Sequence, residues 1–245
     1  MKILVLSDCH SNVDALNAVW EKESDCDIIL FAGDMVDFGF YPKETVRWFM
    51  ERKDKLFAVR GNHDEWILDN RGSWDVKDPP KSFQDVTFSR LGEEEYQFLS
   101  EIPHETTFTI EDTDYYMCHT TDELTDEIFY PEIQLGNLNM RSFFLERFSK
   151  KFPQSNAPKK VIVYGHSHLQ WAASAGENCM ILNPGSLSYR FGSFEPVRCA
   201  DYTVLENGSV SMRHVNFDTT ALLEQAKTLD EDAANLARAF YRIGE

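Results

Sequence analysis

Short apolar, β-branched runs recur along this chain, and each of the first three closes on oxygen or nitrogen donors. "KILVLS" runs into Asp8 and His10, "DIILFAGD" ends on Asp34, and "KLFAVRGN" ends on Asn62 and His63. Segments of helical spacing separate them. Asn12 to Glu23 carries Leu16, Val19 and Trp20 along one stripe, and Pro42 to Met50 opens with a proline suited to a first helical turn. A strand–helix–strand order favours parallel strands covered by helices, which predicts an α/β arrangement with donors at the carboxyl ends of the strands.

The rest of the chain changes character. Residues 65 to 103 show no strand pattern beyond a loop at Asp78-Pro79-Pro80 and a polar helix from Glu93 to Ser100. "ETTFTIEDTDYYMCHT" predicts a hairpin turning near Asp112-Thr113-Asp114. "KVIVYG" and "NCMILNPGS" predict further strands, and "DYTVLENGSVSMRHV" predicts a hairpin at the strong turn pair Asn207-Gly208. A helix from Thr219 to Ile243 closes the chain. A parallel first half and an antiparallel second half predict mixed sheets, stacked face to face. One domain over residues 1–245 is expected, with cap-like insertions at 65–103 and 122–158.

Bulk properties narrow the function. The net charge of −17 argues against duplex nucleic acid and anionic membranes, both of which need a basic partner surface. If the substrate is anionic, bound cations resolve the conflict. No apolar run is long enough to span a bilayer or act as a secretory leader, and five irregularly spaced cysteines give neither a disulfide framework nor a zinc ribbon. A cytoplasmic protein with reduced thiols is expected.

The donors carry the chemistry. Five of the seven histidines, His10, His63, His119, His166 and His168, stand at the ends of apolar runs; His104 and His214 do not. Asp8 and His10 are two apart, so an extended backbone would send both to one side, and the intervening Cys9, like Cys118, away from it. Two Asp, one Asn and several His make a donor set without thiolate, suited to manganese, iron, zinc, nickel or cobalt rather than calcium. Asp34 has two carboxylate oxygens with which to bridge a pair of ions, and Asn62 supplies a neutral oxygen.

The ordered series "DCH", "GDMVD", "GNHD", His119 and "GHSH", followed by "NPGS" at Asn183 to Ser186, resembles the calcineurin-like metallophosphoesterases. The resemblance implies a two-layer β sandwich flanked by helices, with two metal ions, manganese or iron first, at the strand ends. It implies that Asp8, His10, Asp34 and His168 bind one ion, and Asp34, Asn62, His119 and His166 the other. His63, paired with Asp37, would serve the leaving group while metal-activated hydroxide attacks phosphorus. Phe38 stands where Ser/Thr protein phosphatases carry a phosphate-gripping arginine, and Thr120 follows His119 where the family often has glycine. "GDMVDFGFYPKETVRWF" is similar to the small bacterial phosphoesterases grouped with diadenosine tetraphosphatases. A small phosphodiester or dinucleoside polyphosphate is therefore the expected partner, ahead of a phosphoprotein or a non-catalytic scaffold role. Arg60, Arg190 and Tyr189 are the expected substrate contacts, Arg60 and Arg190 as contacts to a second phosphate, and Tyr189 and Phe191 as surfaces for a nucleobase.

Overall fold

The computed structural model describes residues 1–120, 151–152, 157–176, 178–189 and 199–241. Within them the chain builds two five-stranded sheets. The first has the order β10-β9-β1-β2-β3, from β1 (Lys2–Leu6), β2 (Ile28–Phe31), β3 (Leu56–Ala58), β9 (Cys199–Glu206) and β10 (Ser209–Asn216). The second has the order β4-β5-β6-β8-β7, from β4 (Glu105–Ile110), β5 (Thr113–Cys118), β6 (Lys159–Val163), β7 (Gln170–Gly176) and β8 (Cys179–Pro184).

Both sheets are mixed. β1, β2 and β3 are parallel, as the sequence predicts, and β9 joins the free edge of β1 antiparallel. The second half is not purely antiparallel: β6 runs parallel to both β5 and β8, between antiparallel flanking strands. Parallel neighbours need long connections, and the chain supplies them on either side of β6. The Asn207-Gly208 turn forms with Glu206 opposite Ser209. The other hairpin turns one residue earlier than expected, at Glu111-Asp112, where Glu111 takes a positive φ.

Alternation along β1 explains why this strand reads as uniformly apolar. Ile3 and Val5 enter the core between the sheets with Leu30, Val59, Met117, Val161, Val163 and Leu182. Leu4 and Leu6 face the other way, into a helix-side core with Leu16, Val19, Phe31, Val46 and Phe49. A strand buried on both faces has no polar face to show. The helices over that face are α1 (Val13–Glu23), α2 (Pro42–Met50), α3 (Asn62–Asp69), α4 (Phe83–Arg90) and α5 (Glu93–Glu101).

Residues 65–103 hold more helix than their sequence predicts. α4 is short and has no apolar stripe, but Ser82 and Asp85 form a capping box that starts it. The expected closing helix is two helices, α6 (Thr220–Ala226) and α7 (Glu231–Phe240). Asp230 ends the continuity by accepting from the Ala233 amide as an N-cap, 2.9 Å away. The expected insertion at 122–158 lies almost wholly outside the described residues, as do Arg190 and Phe191. No described helix is long and apolar enough to cross a membrane.

Candidate metal centre

The polar ends of β1, β2, β3, β5 and β6 meet at one end of the sandwich. Asp8, His10 and His168 form one cluster, and Asp34, His119 and His166 a second, each with ligand atoms within 4.8 Å of one another. Asn62 completes the second, its Oδ1 lying 3.1 Å from His119 Nε2 and 3.0 Å from His166 Nδ1. Asp34 Oδ2 addresses both clusters, at 3.7 Å from His10 Nε2 and 3.1 Å from His119 Nε2. All seven residues expected as metal ligands are therefore brought together.

The route to convergence differs from the expected one. Asp8 and His10 do not share a side through extended backbone; their φ values are 52° and 48°, in the left-handed region. Asp34, Asp37, Phe38, His166 and His168 are left-handed too, with φ from 52° to 69°. Outside glycine this conformation costs on the order of 1 kcal/mol per residue, so its concentration here is strain held by the surrounding fold. Two glycines make the close approaches feasible. A Cβ at Gly165 would lie 2.1 Å from Ser7 Oγ, and one at Gly61 would lie 2.0 Å from Asp34 Oδ1. The "NPGS" segment braces the turn: Asn183 Nδ2 donates to the Gly165 carbonyl at 2.8 Å, and Ser186 Oγ to the Asp8 carbonyl at 3.0 Å. Cys9 turns into the helix-side core and Cys118 is buried, as expected of packing residues.

The protons show whether these residues fit a cation. His119 Nδ1 donates to the Ala32 carbonyl at 2.6 Å and His168 Nδ1 to the Tyr189 carbonyl at 2.7 Å, since a carbonyl can only accept. A neutral imidazole so fixed turns its Nε2 lone pair inward. His168 Nε2 then faces Asp8 Oδ1 at 3.1 Å and His10 Nε2 at 3.2 Å. Lone pairs facing carboxylate oxygens need positive charge between them. Burial pushes His10 well below the ordinary imidazole range and His166 down as well, which keeps both available as neutral ligands. Burial also opposes charging His119, but Asp34 outweighs it and carries His119 up to about 9; there a proton does what a cation would do. Ring N–H groups tied back to carbonyls are the usual outer support of histidine ligands. The donor set fits first-row divalent ions.

His63 stands beside the clusters, its ring centroid 5.0 Å from that of His10. Its Nδ1 lies 2.9 Å from Asp37 Oδ2, and its amide donates to Asp34 Oδ1 at 3.0 Å. Burial would lower its pKa, but the carboxylates of Asp34 and Asp37 raise it. Three further residues escape sequence reasoning. Gln84 on α4 donates to both oxygens of Asp37, at 3.0 and 3.3 Å. Asp64, the last letter of "GNHD", accepts from the amides of Met35, Val36 and Gly61 and ties the second and third strand ends together. Burial, with the Asp34 charge, pushes its carboxyl up to about 7. His104, set apart in the sequence, lies 2.8 Å from Arg60. The motif spelling could have flagged Asp64; nothing local marks Gln84 or His104.

The chain matches the calcineurin-like phosphoesterase superfamily domain over residues 1–206. It belongs to that family. Membership supports a phosphoric ester hydrolase, and the family implies divalent metal ions, for which the two clusters are the candidate ligands. An uncharacterized protein of Methanocaldococcus jannaschii, MJ0912, is 41% identical over 68 residues, which is 27% of each chain; the match thus spans about a quarter of that relative. A metallophosphoesterase from Sphaerobacter thermophilus superposes with TM-score 0.71 at 20% identity, covering 98% of this chain and 99% of that one. The hypothetical protein PH1004 from Pyrococcus horikoshii gives 0.75 at 16%, covering 100% and 99%. These likenesses show the two-sheet fold.

One expected substrate contact changes in the light of this geometry. Tyr189 is corrected as a nucleobase platform: it is only 5% exposed, and Phe240 stacks on it at 3.9 Å with 8° between the rings. It walls the His10–His168 cluster instead, 4.3 Å from the His168 ring. Arg60 is placed beside the Asn62–His119 side of the centre, on a shared cavity. Arg190 lies outside the described residues.

Proposed function

We propose that this chain is a dinuclear metal-dependent phosphoesterase acting on a small phosphorylated molecule, with phosphodiesters and dinucleoside polyphosphates favoured over monoesters and phosphoproteins. One observation carries the reading: a single oxygen, Asp34 Oδ2, addresses two sets of inward-facing donors at 3.7 and 3.1 Å. In this reading Asp8, His10, Asp34 and His168 hold one ion, and Asp34, Asn62, His119 and His166 the other. Ions held there would polarise the phosphoryl oxygens and make water acidic enough to attack near neutral pH.

The remaining roles belong to the chain itself. Asp37, fixed by Gln84, orients the His63 ring through Nδ1, and the other ring nitrogen is left to protonate the departing oxygen. Phe38 packs edge-on to His63 at 4.7 Å, so no guanidinium grips a phosphate at that position, which weighs against a Ser/Thr protein phosphatase. Asn62, exposed at the edge of the centre, leaves the substrate an approach on its side.

The test is a parallel assay with added manganese of a phosphodiester, a phosphomonoester, diadenosine tetraphosphate and a phosphopeptide, alongside metal analysis of the purified protein. Two ions per chain and fastest turnover of the diester or the tetraphosphate are expected. Fastest turnover of the phosphopeptide would overturn the substrate ranking, and failure to take up two ions would favour the scaffold role.

A further inference from the structure

A cavity of about 550 Å³ opens directly beside Asn62 and His119, and Arg60, Glu65, His104, Glu105 and Lys151 also line it. Its charges are not spent evenly. Lys151 is held by both oxygens of Glu105 at 2.7 Å, and Glu105 also accepts from the Tyr116 hydroxyl, so that pair is neutral and closed on itself. Arg60 is different. Arg47, Arg71 and Arg213 each hold a carboxylate, but Arg60 Nη2 donates to His104 Nε2 at 2.8 Å.

A guanidinium has no acceptor, so in this contact Arg60 donates and the imidazole nitrogen accepts. His104 Nδ1 faces Glu65 at 3.7 Å. The imidazole therefore steers the guanidinium without cancelling its charge. The main chain fixes the base of the arm, because the Arg60 amide donates to the Pro103 carbonyl at 2.8 Å, which also brings His104 alongside. In a chain of net charge −17, a positioned guanidinium with no carboxylate partner among the described residues sits on the open side of the candidate centre.

We propose that this cavity is a second-phosphate subsite: Arg60, positioned by His104, receives a phosphate that is not the one cleaved. Planar bidentate recognition is what a guanidinium offers a phosphate, and the volume is ample for one. The proposal rests on the phosphoesterase reading and narrows its substrate to esters carrying two phosphoryl groups.

The experiment compares thymidine 5′-phosphate with thymidine 3′,5′-bisphosphate by calorimetry on the manganese-loaded protein, and the p-nitrophenyl 5′-esters of the same two nucleotides by turnover. Wild type should bind the bisphosphate at least about tenfold more tightly and show the same preference in kcat/KM, carried by KM. Arg60→Gln should collapse that ratio to near one, Arg60→Lys should keep part of it, and His104→Leu should fall between. Equal affinity for both nucleotides in wild type, or an undiminished ratio in Arg60→Gln, would overturn the subsite. If neither ester is cleaved while the binding ratio behaves as expected, the subsite stands and the catalytic reading falls.

Discussion

The two halves of the centre share Asp34 and carry two histidines each, and they differ in enclosure. Asp8, His10 and His168 are each 0–2% exposed and lie behind the stacked rings of Tyr189 and Phe240. In the other half His119 is equally buried, but His166 is half-buried, Asn62 is exposed, and a cavity opens beside them. Ligand exchange needs access to solvent, so under the dinuclear reading proposed above the enclosed half would keep its ion and the open half would exchange ion and substrate. The neutral amide oxygen belongs to the open half, where a second carboxylate would repel an incoming anion.

The sharpest way to break this comparison is to remove what the halves share. Asp34→Asn removes the charge whose Oδ2 addresses both clusters. Turnover should disappear, and metal analysis should show fewer than two ions per chain in a protein that still melts cooperatively. A variant that keeps two ions and its turnover would mean that Asp34 joins nothing. Chelator treatment separates the halves next. Metal loss followed over time should be biphasic, with the open half emptying first. Asn62→Ala should erase the fast phase and His10→Ala the slow one; a single phase in wild type would show that enclosure does not govern exchange.

A smaller effect is expected just outside both halves. Asp37→Asn keeps the shape but weakens the hold on His63 Nδ1. It should lower kcat on the order of 10²-fold, with both ions retained. Gln84→Leu, one step further out, should lower it less. Loss of an ion in Asp37→Asn would show that the pair serves metal binding instead of proton transfer.

How far the sequence carries depends on whether a contact is local. "DCH", "GD", "GNHD" and "GHSH" end apolar runs, so strand ends and donors could be read together, and a parallel sheet gathers such ends by its geometry. Joining β9 to β1 is a pairing about 200 positions apart, with no local signature, as is β6 running parallel to its neighbours. The left-handed backbone at Asp8 and His10 was illegible for a related reason: Asp and His have no intrinsic need for positive φ, and the fold imposes it. Gln84 and His104 reach the site only because α4 and the segment after α5 fold back over it. Tyr189 misled because an aromatic beside a motif reads alike whether its face is open or covered by Phe240.

The smallest prediction lies at the other end of β1 and tests whether stability and metal retention are separable. Glu23, 2% exposed at the end of α1, accepts from Tyr202 at 2.9 Å and from Arg213 at 2.7 Å, and pairs with Lys2 at 2.8 Å. Burial alone would raise this carboxyl, but those three partners outweigh it and hold it below its ordinary range. A depressed folded value means the ionised carboxylate stabilises the fold fully above its unfolded value of about 4.3 and loses that contribution as pH falls through the lower folded value. Glu23→Gln should therefore cost about 1–2 kcal/mol at pH 7, and its gap from wild type should narrow progressively in denaturation curves taken below about pH 4. Metal content at pH 7 should stay at two ions with the same two release phases. A slow phase that quickened in Glu23→Gln would tie retention in the enclosed half to global stability, and enclosure would no longer explain the difference between the halves.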